Sequence, residues 1–406
     1  DKNSEDVGAV FFDADDDGDK DLIVATGGNE PMNESNSFIR LYVNDGKGNF
    51  TRSFKGWPTI SLNASCVCVG DIDGDGKKDI FIGARDIPDA YGKTPSSVLL
   101  KNMGNGKFIG ATQTLAPGLL HAGMVTDAKI TDIDNDEKNE LIIVGDWMPV
   151  TIYKYQNNQL KKFLEIANSS GWWNCLTVTD INNDGKPDLI AGNNGLNSKI
   201  KADKDHPATL YVNDFNSNGS TLCVPVYYKT DGKAYPFNLY GDMMMQMPFL
   251  KKKFLYFSQY AGLPIDKIFN EQQLSSAQKL SVQETQSCMF INKGNDVFEM
   301  QPLPQQAQLS PVFAAVTDDL NNDEKKDVLM AGNFYGLKPE VGRYDAGYGF
   351  TLLSDKNYHL NYIPPSQSGL FIKGEVRDIK TIQTLKGEYI IVARNNDALQ
   401  IFRKNK

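Results

Sequence analysis

The sequence predicts an all-β fold built from one repeated unit, and three observations predict it. A nine-residue pattern, Asp71-Ile-Asp-Gly-Asp-Gly-Lys-Lys-Asp79 in its fullest form, recurs at 13–21, 132–140, 180–188 and 319–327. Each copy has an apolar or β-branched run before it, such as 66–69, and another after it, such as 80–82, which reads as strand, loop, strand. The first four copies start 58, 61 and 48 residues apart (13, 71, 132, 180). That is the spacing of four-stranded propeller blades.

Taken in order, the first two units follow the loop with a glycine turn, a strand (38–43, 97–100) and an Asn/Gly hairpin (48–50, 104–108). The third unit has strands at 150–155 and 160–164, and the fourth begins at Asn174. A degraded loop at 214–222, with Leu222 where the closing acid belongs, places a fifth unit at 208–304. Within it, 240–286 loses its glycines and takes helical apolar spacing, including the Met cluster 243–247, which predicts two to four short helices. A sixth unit covers 312–363. A seventh, 374–406, keeps strands but has no loop, and the N-terminal segment is expected to supply its outer strand. The predicted fold is therefore a seven-bladed β-propeller, one domain over 1–406, with calcium-binding loops and a short helical insertion in the fifth blade. Its blades fall near 6–56, 64–116, 125–166, 174–206, 208–304, 312–363 and 374–406.

The loops carry the clearest chemistry. Acids or amides at alternate positions, with a backbone carbonyl at position 7, supply the oxygens a hard cation needs. The expected ligands are Asp13, Asp15, Asp17, Asp19 and Asp21; Asp71, Asp73, Asp75, Lys77 and Asp79; Asp132, Asp134, Asp136, Lys138 and Glu140. They continue with Asp180, Asn182, Asp184, Lys186 and Asp188, then Asp319, Asn321, Asp323, Lys325 and Asp327. Asp19 and the lysines act through their carbonyls. An EF-hand is excluded, because position 12 is Val24, Ile82, Ile143, Ala191 or Met330 rather than glutamate, and the exits read as strands. About five structural Ca²⁺ ions are expected, adding about +10 to the net charge of −9. The loop at 214 and residues 378–386 are expected to hold no metal.

The acidic balance argues against nucleic acid or an anionic membrane as partner. No apolar run is long enough to span a bilayer as a helix. The five cysteines read as reduced, mostly buried thiols. The three histidines, His121, His206 and His359, sit in no triad setting, and no nucleophile elbow or phosphate loop is present. Calcium loops of this kind favour an extracytoplasmic location.

The motif Asp-x-Asp-x-Asp-Gly-x-x-Asp, an apolar strand, Gly, then Leu-Tyr-x-Asn and Gly-Asn-Gly-x-Phe, resembles the FG-GAP/VCBS repeat of integrin α-chain propellers. The segments 248–254, 306–312, 342–346 and 392–397 resemble large Bacteroidetes cell-envelope proteins that carry these repeats beside an ASPIC/UnbV segment. That segment is not found here, so the resemblance implies one propeller of a longer multidomain chain. It implies an extracytoplasmic binding or scaffold role without a known reaction.

The repeat also locates a face. Turns after the second strands lie opposite the cation loops and converge on the axis. They present Glu30, Arg85, Asp86, Asp146, Trp147, Asn194 and Arg394, and the long loop 336–349 adds Arg343 and Asp345. Amides, both charge signs and aromatics suit a glycan or protein ligand. The alternative is a carbohydrate-active enzyme, a polysaccharide lyase or glycoside hydrolase, in the same funnel; a Tyr/Arg pair or two converging carboxylates would favour it. Trp172 and Trp173 read as core rather than as a platform.

Overall fold

The computed structural model describes residues 4–28 and 39–404 of the chain. Each of the five loops connects two antiparallel strands, such as Ala64–Gly70 with Asp79–Ala84 and Val312–Asp318 with Asp327–Gly332. Among the described residues the strands form seven antiparallel sheets. The all-β class is as expected, and the architecture is propeller-like.

Six sheets follow one another in an arc through their first strands. These are Asp6–Phe12, Ala64–Gly70, Met124–Thr131, Cys175–Thr179, Val312–Asp318 and Val376–Thr384, each packed on the next. All but the fourth of these strands carry a register shift near the start, which leaves Val7, Ser65, Thr126, Phe313 and Arg377 bulged. A bulge re-aims a side chain. At Ser65 and Thr126 it sends a hydroxyl to the next sheet, donating to the carbonyls of Val125 and Trp173 at 2.6 Å each. Asp127 ties the third sheet to the fourth, accepting from Leu176 N at 2.7 Å.

Alternation of side chains along each strand gives every sheet two apolar faces. Five apolar cores result, one between each successive pair. Phe12, Ile23 and Leu41 meet Ile80, Ile82 and Leu100 between the first and second sheets. Phe81 and Leu99 meet Leu141 and Ile143 in the next core. Full burial of each such side chain contributes about 1.5–3 kcal/mol.

The fourth and fifth blades differ from the expectation. Residues 208–304 are not one sheet. Cys288–Asn292 pairs with Asp188–Gly192 and Phe298–Pro302 pairs with Cys288–Asn292, completing the fourth sheet. The stretch between is an inserted subdomain. Its sheet comprises Ala208–Asn213, Leu222–Tyr228, Ala234–Pro236 and Gln278–Val282, and five short helices lie between Tyr240 and Ser275. It has its own core, with Met243, Met244, Met247, Phe254 and Phe269 against Phe215 and Val224. The degraded loop at 214 made an inserted sheet read as a blade.

The last sheet has three strands, Val376–Thr384, Gly387–Arg394 and Gln400–Arg403. The N-terminal strand Asp6–Phe12 belongs to the first sheet and does not supply the missing one. All five cysteines are free thiols, four of them buried. Trp172 and Trp173 are buried, as expected.

Candidate metal loops and turn-face site

The loop sequences follow from two left-handed residues. Positions 4 and 6 both have positive φ: Gly74 and Gly76 (77° and 85°), Asp16 and Gly18 (66° and 94°), Asn135 and Glu137 (62° and 66°). Glycine, Asn and Asp tolerate this conformation best, which explains their enrichment there. The position-1 carboxylate closes the turn. Asp71 accepts from Gly74 N and Gly76 N, both at 2.8 Å, and Asp13 accepts from the same two positions, whereas Asp132, Asp180 and Asp319 accept from the backbone N–H groups of positions 5 and 6. Asp214 makes the same closure without a closing acid.

The position-9 acid reaches further than a ligand would need to. Asp79 accepts from Ile72 N (3.3 Å) and from Asn102 N (2.9 Å) on the third strand. Asp21, Asp188 and Asp327 staple their sheets in the same way, and Glu140 accepts from Ile133 N. Burial pushes the Asp79 carboxyl up to about 6 and that of Glu140 up to about 7. Asn102 and Asn292 reach back to the carbonyls of Ala14 and Ile133 in the preceding loop. Their equivalence independently places Cys288–Asn292 in the fourth sheet.

The donor set fits a cation. In three loops, acid oxygens of Asp13, Asp15 and Asp17, of Asp71, Asp73 and Asp79, and of Asp132, Asp134 and Asp136 lie within 4.8 Å of one another. Oδ1 of Asp15, Asp19 and Asp73 is buried and accepts no hydrogen bond. Such an oxygen is costly to leave without a partner. The carboxyls of Asp15 and Asp19 are driven up, first by burial and then by neighbouring aspartates. A bound hard cation would relieve both effects.

At the opposite end of the sheets, the structure brings together Arg85, Asp146 and Trp147 and adds Tyr91. Arg85 Nε donates to Asp146 Oδ2 at 2.8 Å, Tyr91 OH to the same oxygen at 3.3 Å, and Trp147 Nε1 to Tyr91 OH at 3.0 Å. The Asp146 side chain is 4% exposed, whereas that of Arg85 is 48% exposed. Burial first, and then Asp146, raise the Tyr91 hydroxyl well above the ordinary phenol range. Trp147 has φ of 58°, unusual for a bulky side chain. It is buried edge-on against Trp172 at 5.0 Å, with Ala208, Leu210 and Val282 of the inserted sheet packed over it.

The inserted subdomain therefore covers part of this face. On the far side it meets the 336–349 loop, where Lys199 donates to the Glu340 carbonyl and Lys338 pairs with Asp242 at 2.7 Å. Beneath that loop Arg343 lies over Tyr335 (5.0 Å), and Arg377 over Phe313 (4.5 Å). Glu375 is buried and accepts from Tyr335 N, Arg377 and Asn395. Asp345 is exposed.

Several expected face residues are otherwise engaged. Asp86 accepts from Asn63. Asn194 N is held by Asn193 Oδ1 at 2.8 Å. Arg394 is tied into its own turn by Asp397 and the Ala398 carbonyl. Trp147 is core and not a stacking platform. Glu30 lies outside the described residues. Sequence reasoning missed Tyr91, Glu375 and Arg377; the bulge that aims Arg377 inward has no local signature, while Tyr91 stood in view six residues after Arg85.

A family model described as FG-GAP-like repeat matches residues 13–82 and 132–191, so the chain carries FG-GAP-like repeats over four of the five loops. No curated protein matches the sequence. Among solved structures, Saccharomyces cerevisiae Sqt1 is similar at 9% identity, over 95% of this chain and 84% of that one, with a TM-score of 0.43. The V. cholerae biofilm matrix protein Bap1 is similar at 11% identity, over 100% and 88%, with a TM-score of 0.33. Neither overlay is close enough to argue from.

Proposed function

We propose that this chain is an extracytoplasmic binding and scaffold module, stabilised by calcium, that holds a glycan where the inserted subdomain meets the turn face. The observation that carries the reading is the Arg85–Asp146–Tyr91–Trp147 chain. It uses a buried carboxylate and a strained tryptophan to hold a half-exposed arginine side chain and a phenol in fixed positions. Strain of this kind is of order 1–3 kcal/mol and persists where surrounding structure enforces it. Arg343 on Tyr335 offers a second cationic, aromatic surface across the face. The calcium loops at the other end serve stability, and the large envelope proteins that the sequence resembles supply the extracytoplasmic setting.

A second reading has one observation in its favour: a Tyr/Arg pair does converge on Asp146, as a lyase would require. Its weakness is that the Tyr91 hydroxyl is pushed away from the range of a useful base. Two cavities, about 460 Å³ around Tyr348, Phe350 and Phe371 and about 120 Å³ around Lys154 and Phe163, do not include Arg85, Tyr91 or Asp146.

Calorimetric titration with neutral and uronate-containing polysaccharides tests both readings. Arg85→Ala and Arg343→Ala should each weaken binding about tenfold or more, the cost of a lost charged hydrogen bond. Because Arg85→Ala strands Asp146, Arg343→Ala is the cleaner arm. Unchanged binding in both variants would remove the site from this face. New ultraviolet absorbance from unsaturated sugar ends, lost in Tyr91→Phe, would instead establish the lyase.

A further inference from the structure

The arc of six sheets has two ends, and each exposes large apolar side chains. Strand register makes the comparison direct, because each residue of the first sheet has a counterpart in the second. The face of the second sheet that packs on the first carries Val69, Ile80, Leu100 and Phe108; the same face of the first sheet carries Phe11, Leu22, Tyr42 and Phe50. Phe108 is 2% exposed and Phe50 is 41%, while Phe11 is 58% exposed. At the other end, Ile391 and Ile401 of the sixth sheet hold the positions of Phe81 and Leu99. Leu99 is 1% exposed and Ile401 is 61%. Ile382 and Leu399 are exposed beside it.

So, among the described residues, the positions that build a core between every other pair of neighbours build none here. Among the described residues, five inter-sheet cores serve six sheets, and the first strands of the sixth and first sheets do not pack together as the other neighbouring pairs do. The sixth sheet also stops at three strands, leaving the outer edge of Gln400–Arg403 unpaired among the described residues. The inserted sheet is no candidate to fill the seam, because it is committed to Trp147 and Trp172 elsewhere. Apolar faces of this extent mark an interaction surface, and an unpaired edge strand is a template for another strand.

We propose that the seam between the sixth and first sheets is the docking site of one further antiparallel sheet of the same strand–loop–strand repeat. The added sheet lays one apolar face on Phe11 and Phe50 and the other on Ile382, Ile391 and Ile401. It continues the interface already made five times along the arc and closes the ring.

The test uses the whole chain and a defined probe. A duplicate of residues 57–123, the second sheet with its flanking turns, is fused through a flexible linker after residue 404. Binding of a hydrophobic dye should fall about threefold against the unfused chain as the seam is covered, and Tm should rise. Phe11→Ser with Ile401→Ser should abolish both changes in the fusion while leaving Tm of the unfused chain nearly unaltered. Dye binding that stays the same or rises in the fusion overturns the proposal. So does an unfused chain that sediments as a dimer or longer array and returns to monomer in Phe11→Ser/Ile401→Ser, since the ends would then pair copy to copy.

Discussion

Loops 13–21 and 71–79 share a conformation and differ in how their charge is balanced. The first holds six aspartates and leaves Oδ1 of Asp15 and Asp19 buried without a donor. In the second, Lys101 enters from the third strand and pairs with Asp73 and Asp75, the latter at 2.9 Å. Lys154 takes the same place in the third sheet and pairs with Asp134. The corresponding residues of the first, fourth and fifth sheets are Val43, Ile291 and Leu353. One repeat thus carries two solutions to the same repulsion: an external cation alone, or a cation assisted by an ammonium built into the sheet. The lysine-assisted loops should hold together better without metal and bind metal more weakly.

The largest expected effect separates metal from no metal. Chelation should lower Tm and added calcium should restore it. A site held at one hundred times its Kd contributes about 2.7 kcal/mol. Identical melting with and without chelator would show that the ammonium groups and backbone hydrogen bonds suffice. Lys101→Met comes next. In chelator it should destabilise by about 1–3 kcal/mol, because Asp73 is left buried beside two other acids. In calcium most of that loss should vanish, and the calcium affinity of the loop should rise; an equal loss in both conditions would mean that Lys101 matters only for packing. Val43→Lys should move the first loop the opposite way.

A pH scan gives a smaller signal with a definite sign. The carboxyls of Asp79 and Glu140 are raised in the folded protein, to about 6 and about 7. A raised acid favours the folded state while protonated, and that contribution disappears as pH climbs through the folded value. Metal-free protein should therefore be more stable near pH 5.5 than near pH 7.5, by about 1–2 kcal/mol. With calcium bound the order should reverse, since ligands must be ionised. Chemical denaturation at the two pH values, each with calcium and with chelator, checks both signs. Smallest of all, Glu137→Gly and Glu324→Gly should each stabilise by about 0.5–1 kcal/mol. Both residues sit at left-handed φ (66° and 67°), where other copies have glycine.

The phase of the repeat was legible in sequence because the loops are local. Three to six acids in nine residues and two left-handed positions leave little choice of conformation, and the turns half a unit later follow by geometry. That is why Arg85 and Asp146, 61 residues apart, could be placed on one face. The fourth sheet was harder, since its pairing partners are Ala191 and Cys288. A signal did exist: Asn292-Lys-Gly-Asn-Asp-Val-Phe298 repeats the hairpin Asn102-Met-Gly-Asn-Gly-Lys-Phe108, and both span third to fourth strands. The loop at 214 masked it by imitating a blade. Tertiary burial of Trp147 under the inserted sheet, and the inward aim of Arg377, depend on contacts that no local pattern encodes.

The interruption of the fourth sheet also sets an order of assembly. In the second sheet, Ile82 and Val98 pair across 16 residues; in the fourth, Ala191 and Cys288 pair across 97. Closing the longer loop costs about 1.6 kcal/mol more in chain entropy if the intervening residues are unfolded. A subdomain that has already collapsed around Phe215, Met243 and Phe269 brings its two ends together and shortens the effective loop. The first three sheets can then form as the chain is made, while the fourth waits for the insertion to collapse. Mutations in that small core should slow completion of the arc far more than they weaken the finished protein.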